Sequence, residues 1–151
     1  MEQIVVFTLD QQVYGLPLNK VVRVIHAIEI TRLPKTPEIV TGIINVNGRI
    51  LPVIDVRKRF GMATHEIDID DQLILADTGK RQVALIVDSV TGVQAIESYQ
   101  HINAKETMPF AAFIGGIVKM DTELILIYDL EQFLNLDEEK QLEEALSKRN
   151  T

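Results

Sequence analysis

The chain has no cysteine. Disulfides and thiolate chemistry are therefore excluded, and nothing points to an oxidising compartment. Long apolar runs are also missing. The first stretch, Ile4 to Phe7, is short and follows an acidic Glu2, so it reads as neither a signal peptide nor a membrane anchor, and a cytoplasmic protein is expected. Positive charge is scarce: Lys+Arg 15 against Asp+Glu 22 gives a net charge of −7, and no basic run exceeds Arg57-Lys58-Arg59. A nucleic-acid partner needs a positive face to displace counterions from phosphates, so that class is excluded. The basic triplet itself reads as a solvated helix face.

Catalytic constellations are equally thin. No serine sits in a nucleophile elbow, and no glycine-rich loop opens a helix to cradle phosphate. His26, His65 and His101 have no partner at metal-ligand spacing. Asp68, Asp70 and Asp71 lack the glycine and the closing glutamate of a calcium loop, and read as a solvated linker. Leu73-Ile74-Leu75-Ala76-Asp77-Thr78-Gly79 resembles the aspartic-protease signature, in which an Asp from each of two units shares a proton, and a dimer could supply the second. Lys80 and Arg81 follow at once, however, and Asp-Thr-Gly between two strands is an ordinary hairpin turn. The expectation is a protein that is not an enzyme and carries no cofactor or metal.

What is present is a binding fold. With 151 residues, 46% hydrophobic and 25% charged, the chain is one domain, or two very small ones, with a core of its own. Its most informative stretch is GIINVNGRILPVIDVRKRF, residues 42 to 60. Residues alternate through Ile44-Asn45-Val46, Asn47-Gly48 supplies a two-residue turn, and Arg49 to Ile54 returns as a second extended run, so a β-hairpin is predicted. Asp55 can cap a short helix over Val56 to Phe60, which Gly61 ends.

The phrase recurs as GIVKMDTELILIYDLEQFL, Gly42 corresponding to Gly116 and Asp55 to Asp129, with Asp121-Thr122 in place of the turn. A weaker echo precedes each copy, LPLNKVVRV from Leu16 and LIVDSVTGV from Leu85, so two similar β-units are expected. Around them, Gln3–Leu9 and Gln12–Leu18 form a first hairpin in which Pro17 demands an edge or a bend. Leu18 to Ile25 is open between a strand and a helical turn capped by Asn19. Thr31 to Pro37 is a stiff connector. Ala63 to Asp71 is an exposed link, Glu97 to Phe110 is irregular, and Asp137 to Asn150 is helical, with Leu142, Ala145 and Leu146 on one face and a Glu144-Lys148 pair.

Residues Gly42, Ile43, Ile44, Asn45, Val46, Gly48, Ile50, Leu51, Pro52, Val53, Ile54 and Asp55 resemble the central signature of the CheW-type chemotaxis coupling proteins, and the resemblance runs from about Gln3 to Leu134. It implies an all-β fold of two small five-stranded β-barrels, SH3-like or OB-like, related by internal duplication with exchanged strands, plus a C-terminal helix. The domain would span 1–136, with halves of about 1–62 and 71–136, and a helical tail at 137–151. It implies a non-catalytic adaptor in the cytoplasm that binds the signalling tip of a methyl-accepting chemoreceptor and the regulatory domain of the chemotaxis histidine kinase, without nucleic acid or membrane insertion. An adaptor of another array, such as one controlling surface motility, is the alternative. The receptor groove would be lined by Val5, Leu18, Val21, Val24 and Val90, unless these are simply core residues. The motif turn is Asn45, Asn47, Gly48 and Arg49. The family usually has Arg where this chain has Asn47, and Asn cannot make a forked, charge-assisted bond, although Arg49 stands two residues on.

Overall fold

A computed structural model describes residues 2–96, 114–120 and 123–148. Ten strands run through them: β1 (Glu2–Leu9), β2 (Gln12–Pro17), β3 (Val21–His26), β4 (Val40–Val46), β5 (Arg49–Ile54), β6 (Gln72–Asp77), β7 (Gln82–Val87), β8 (Ser89–Ile96), β9 (Ile114–Met120) and β10 (Glu123–Tyr128). A short helix α1 (Val56–Arg59) follows β5, and α2 (Leu136–Lys148) closes the described chain. The irregular stretch predicted over 97–110, the Asp121-Thr122 turn and the Lys148 side chain lie outside the described residues.

The strands form two five-stranded sheets, ordered β8-β1-β2-β10-β9 and β3-β6-β7-β5-β4. In each, a parallel pair, β2 with β10 or β7 with β5, joins two antiparallel hairpins. The sequence repeat sets β3 to β5 against β8 to β10, and the strand order extends the correspondence to β1 and β2 with β6 and β7. Yet β1 and β2 pair with the second copy's β8 to β10, and β3 to β5 pair with its β6 and β7. The copies have exchanged strands, so neither sheet is built from one half of the sequence.

This crossing sets where the core lies. Ile44, Leu51, Val53, Leu73, Leu75, Ala84 and Ile86 form a cluster on one face of the second sheet. Ile4, Val6, Ile96, Val118, Ile125 and Ile127 form its counterpart on the first. Between the sheets lies a larger shared cluster, to which the first sheet gives Phe7, Leu9, Tyr14, Leu16 and Tyr128, and the second Ile54, Ile74, Ala76, Val83, Leu85 and Val87. Strand β7 shows the consequence. Val83, Leu85 and Val87 face the shared core, while Ala84 and Ile86 face the sheet's own. Apolar residues on both faces account for its unbroken apolar run, because neither side meets water. In the shared core, Phe7, Tyr14, Phe60, Tyr128 and Phe133 interlock, with the Phe60 and Tyr128 rings stacked at 4.3 Å.

Local expectations resolve in detail. The first hairpin turns at Asp10 and Gln11, both at positive φ. Pro17 ends β2, which is interior to its sheet, so the bend and not the edge is correct. Leu18–Lys20 is a single 3-10 turn and Val21–His26 a strand, so both readings of that segment hold, but no side chain caps the turn, and Asn19 is not its cap. Asp55 caps α1 through the Lys58 N–H, and Gly61 follows at φ +71. Asp71 departs from the solvated linker: it is buried, and its Oδ2 accepts the Asp68 N–H at 2.8 Å.

Helix α2 docks where expected, through buried Leu142 and Ala145 and half-buried Leu146. Asn135 and Glu138 form a reciprocal capping box, the Asn135 side chain accepting from the Glu138 N–H at 2.8 Å and Glu138 accepting from the Asn135 N–H at 2.9 Å. Its first turn is further held by Arg59 to Glu138 at 2.6 Å and Arg81 to Glu139 at 2.9 Å.

The basic triplet is the principal correction. Only Lys58 is exposed. The Arg57 side chain is 4% exposed and its Nη2 donates to Asp10 at 3.0 Å and to Asp88. It pins α1, which follows β5, to the β1–β2 turn and to the β7–β8 connection, where the chain passes from one sheet to the other. Asp88 also accepts the Asp10 N–H at 2.8 Å and gives its own N–H to the Thr8 carbonyl at 3.0 Å. Burial alone would raise the Asp88 carboxyl, but the bonds from Arg57 and the Asp10 N–H outweigh it and hold the group below the ordinary carboxylate range.

Arg57→Met should therefore cost about 2–4 kcal/mol at neutral pH, under the ~3–5 of a fully buried pair because Asp10 reaches water. A carboxyl with a lowered folded pKa stabilises above its unfolded value, about 3.9, and that contribution is lost as pH falls through the folded value. In denaturant titrations the gap between wild type and variant should shrink on acidification below that point. A gap that stays constant into acid would assign the loss to packing instead.

Candidate protein-docking surface

The signature hairpin has the predicted geometry. Residues Val46 and Arg49 pair across the turn, with Asn47 at φ +52 and Gly48 at φ +88, as a type I′ turn requires. Asn45 Oδ1 accepts the Gly48 N–H at 2.8 Å, and Asn45, Asn47, Gly48 and Arg49 are all exposed. At the other end of β4, Gly42 is buried beside the connector: Thr31 and Ile43 exchange N–H···O bonds of 2.9 and 2.8 Å, and a Cβ on Gly42 would lie 2.4 Å from the Thr31 carbonyl oxygen. The glycine is what lets the stiff connector cross the strand.

Of the five residues expected to line a receptor groove, Val21, Val24 and Val90 lie at the rim of the shared core, whereas Val5 is buried one strand in from the edge. Val5 alternates with Ile4 and Val6, so it shares a face with Phe7 and Leu9, and it is buried. Across the ladder, Leu16–Val5–Val93 and Tyr14–Phe7–Val90 form two rows leading from the core to edge strand β8. In the other sheet, Leu85–Ile74–Val24 and Val83–Ala76–Val21 lead in the same manner to edge strand β3. Val21, Val24 and Val90 are half-buried against the one shared core. The two sheets are linked where the Val90 N–H of β8 donates to the Gln72 side chain of β6 at 2.6 Å, Gln72 itself pairing with His26 of β3. Leu18 stands apart on the 3-10 turn, beside a recess lined by Glu2, Gln3, Pro17, Asn19 and Lys20.

Sequence reasoning missed Val93, which is 55% exposed and lies directly across from Val5. The signal was available. Val21 and Val90 are related by the repeat's offset of 69, and the same offset carries Val24 to Val93. Val22, 53% exposed on β3, is a second outward apolar residue on this rim.

Catalytic readings lose their footing. Asp77 is exposed and its carboxylate accepts the Gly79 N–H at 2.7 Å, while the Thr78 N–H bonds to the Arg81 carbonyl at 2.9 Å and Gly79 takes φ +97. Asp77-Thr78-Gly79 is a hairpin turn that occupies its own carboxylate. Among the described residues no cluster of acidic or histidine side chains could hold a metal, and His26 and His65 are exposed. His101 lies outside them. Among the described residues no helix is long and apolar enough to cross a membrane.

A family profile described as the CheW-like domain matches residues 3–138. The chain belongs to that family. It is 30% identical to the chemotaxis protein CheW of Thermotoga maritima over 132 residues, 87% of each chain. With the chemotaxis protein CheW of Klebsiella aerogenes it shares 27% over 139 residues, 91% of this chain and 84% of the other. The solved structure of the scaffolding protein TtCheW from Thermoanaerobacter tengcongensis superposes with a TM-score of 0.81 at 36% identity, covering 91% of this chain and 94% of that one. CheW-like proteins are non-catalytic scaffolds of chemotaxis, and in this one Asp77 serves as a turn residue and not as half of a protease dyad.

Substitutions at two positions test the CheW signature as a physical element. Gly42→Ala should destabilise by about 1–3 kcal/mol, the usual cost of overpacking, since backbone at Thr31 must move. Asn47→Val should cost about 1–2 kcal/mol because a β-branched residue resists positive φ, whereas Asn47→Gly should be nearly neutral. Thermal or urea unfolding reads both; equal stabilities for Asn47→Val and Asn47→Gly would refute the left-handed turn.

Proposed function

We propose that this protein couples a chemoreceptor to the chemotaxis histidine kinase by binding the receptor's signalling tip and the kinase's regulatory domain. The observation that supports this most is the row of apolar residues on the two edge strands that border the shared core, with Val21, Val24 and Val90 half-buried and Val93 exposed. An amphipathic helix recognised by a few apolar anchors fits such a surface, with Val5 and Leu18 at its margins. The exposed turn of Asn45, Asn47, Gly48 and Arg49 would tune receptor contact. The family's usual Arg at this turn adds a forked cation, and Asn47 leaves only Arg49 to supply charge. Residues 1–136 act as one domain in this reading, and the tail 137–151 steadies it through α2. The protein works in the cytoplasm, held at membrane receptor arrays by its partners. Signal passes by a change in how the kinase regulatory domain is held, with no chemistry in this chain.

Similarity to Protein FrzA of Myxococcus xanthus, 29% over 82 residues, favours as a second reading an adaptor of a different array, such as one controlling surface motility. That match covers 54% of this chain and 51% of the other.

Calorimetric titration with the kinase regulatory domain and, separately, with a receptor signalling-tip fragment tests the proposal. Both should bind, at distinct sites. Val93→Asp should leave folding stability within about 0.5 kcal/mol, as an exposed substitution does, while weakening the receptor fragment by roughly tenfold or more, the loss of one apolar anchor. Asn47→Arg should strengthen receptor binding. Unchanged receptor affinity in both variants would remove the groove assignment, and absence of binding to either partner would remove the coupling role.

A further inference from the structure

The tip of the β4–β5 hairpin carries a chemical liability independent of docking. Of the chain's asparagines, 19, 45, 103, 135 and 150 precede Lys, Val, Ala, Leu and Thr, and only Asn47 precedes glycine. A side chain on the following residue shields its own backbone nitrogen. Gly48 has none, and a Cβ built there would meet nothing within 4 Å, so the space around it is open. Asn47 and Gly48 are both exposed. One contact opposes reaction: the Gly48 N–H is held by Asn45 Oδ1 at 2.8 Å.

We propose that Asn47 is a site of spontaneous deamidation and that Asn45 restrains its rate. The Gly48 backbone nitrogen attacks Asn47 Cγ. A new N–C bond forms, the Cγ–Nδ2 bond breaks, and ammonia leaves, taking up the proton lost from the Gly48 nitrogen. Water then opens the cyclic imide at either carbonyl, giving aspartate or isoaspartate with no change in oxidation state. To react, Gly48 must release its N–H from Asn45, and Asn47 must leave the positive φ of the native turn. Either product places a carboxylate beside Arg49. Isoaspartate also lengthens the backbone by a methylene within a two-residue turn, which disturbs the Val46–Arg49 pairing that sets the hairpin register.

The test is incubation of the purified full chain at mildly alkaline pH, with peptide mapping that separates asparagine, aspartate and isoaspartate at each position. Position 47 should convert ahead of every other asparagine. Asn45→Ala should accelerate it by about 2- to 10-fold, the factor matching one hydrogen bond of ordinary net strength. Asn45→Asp keeps an oxygen acceptor for the Gly48 N–H and should restore a rate near wild type. Denatured wild-type chain should convert faster than native, which tests the restraint even if Asn45→Ala folds poorly. Conversion elsewhere as fast as at 47, or none at 47 in the denatured chain, would overturn the site. Native and denatured rates that coincide, or equal rates in Asn45→Ala and wild type, would overturn the restraint.

Discussion

The constraint on which the structure rests is that neither sheet can be completed from one half of the chain. Strands β3 to β5 leave the first repeat to pair with β6 and β7, and β8 to β10 return to pair with β1 and β2. The apolar faces so formed have only one place to meet, and the aromatic cluster of Phe7, Tyr14, Phe60, Tyr128 and Phe133 fills it. Every pairing that joins the repeats spans a long stretch of sequence. Such contacts form only after a large loss of chain entropy, and this topology folds more slowly than one of local hairpins.

The exchange also explains where the proposed docking surface lies. A shared core between two sheets must end at their edge strands, and the two edges that carry its rim are β3 and β8, the same strand of the two repeats. Apolar residues at equivalent positions, Val21 with Val90 and Val24 with Val93, thus take corresponding places on the two edge strands by duplication alone. Half-burial, as at Val21, Val24 and Val90, is a compromise: enough contact with the core to fix their positions, enough exposure for a partner to reach.

The local grammar of the chain was readable. Asn47-Gly48 between alternating runs announced its turn, Asp55 its cap, and the recurrence of the hairpin phrase the correspondence of β4–β5 with β9–β10. Pairing between repeats was not readable from the residues, because alternation says which face a residue takes and not which strand lies beside it; the expectation of exchange came from the family resemblance. Arg57 shows the same boundary at one side chain. Within its own helix it sits among charges and looks solvated, while its carboxylate partners come from turns 47 and 31 residues away. Asp71 shows it again, its burial being set by a fold-back onto Asp68 and a bond from the Ala27 N–H to its carbonyl at 3.1 Å. Val93 differs, since its relation to Val24 was present in the repeat.

The exposed stretch from Gly61 to Asp70 contributes no strand to either sheet, although Ile67 packs against the second sheet's core. A cut there would spare every ladder in the molecule yet leave each piece with unmatched strand edges and a naked aromatic or aliphatic face. The two pieces would be obligate halves of one another. For this fold, the covalent link between the repeats holds the two pieces at high effective concentration, and the interleaving of their strands supplies the contacts that join them.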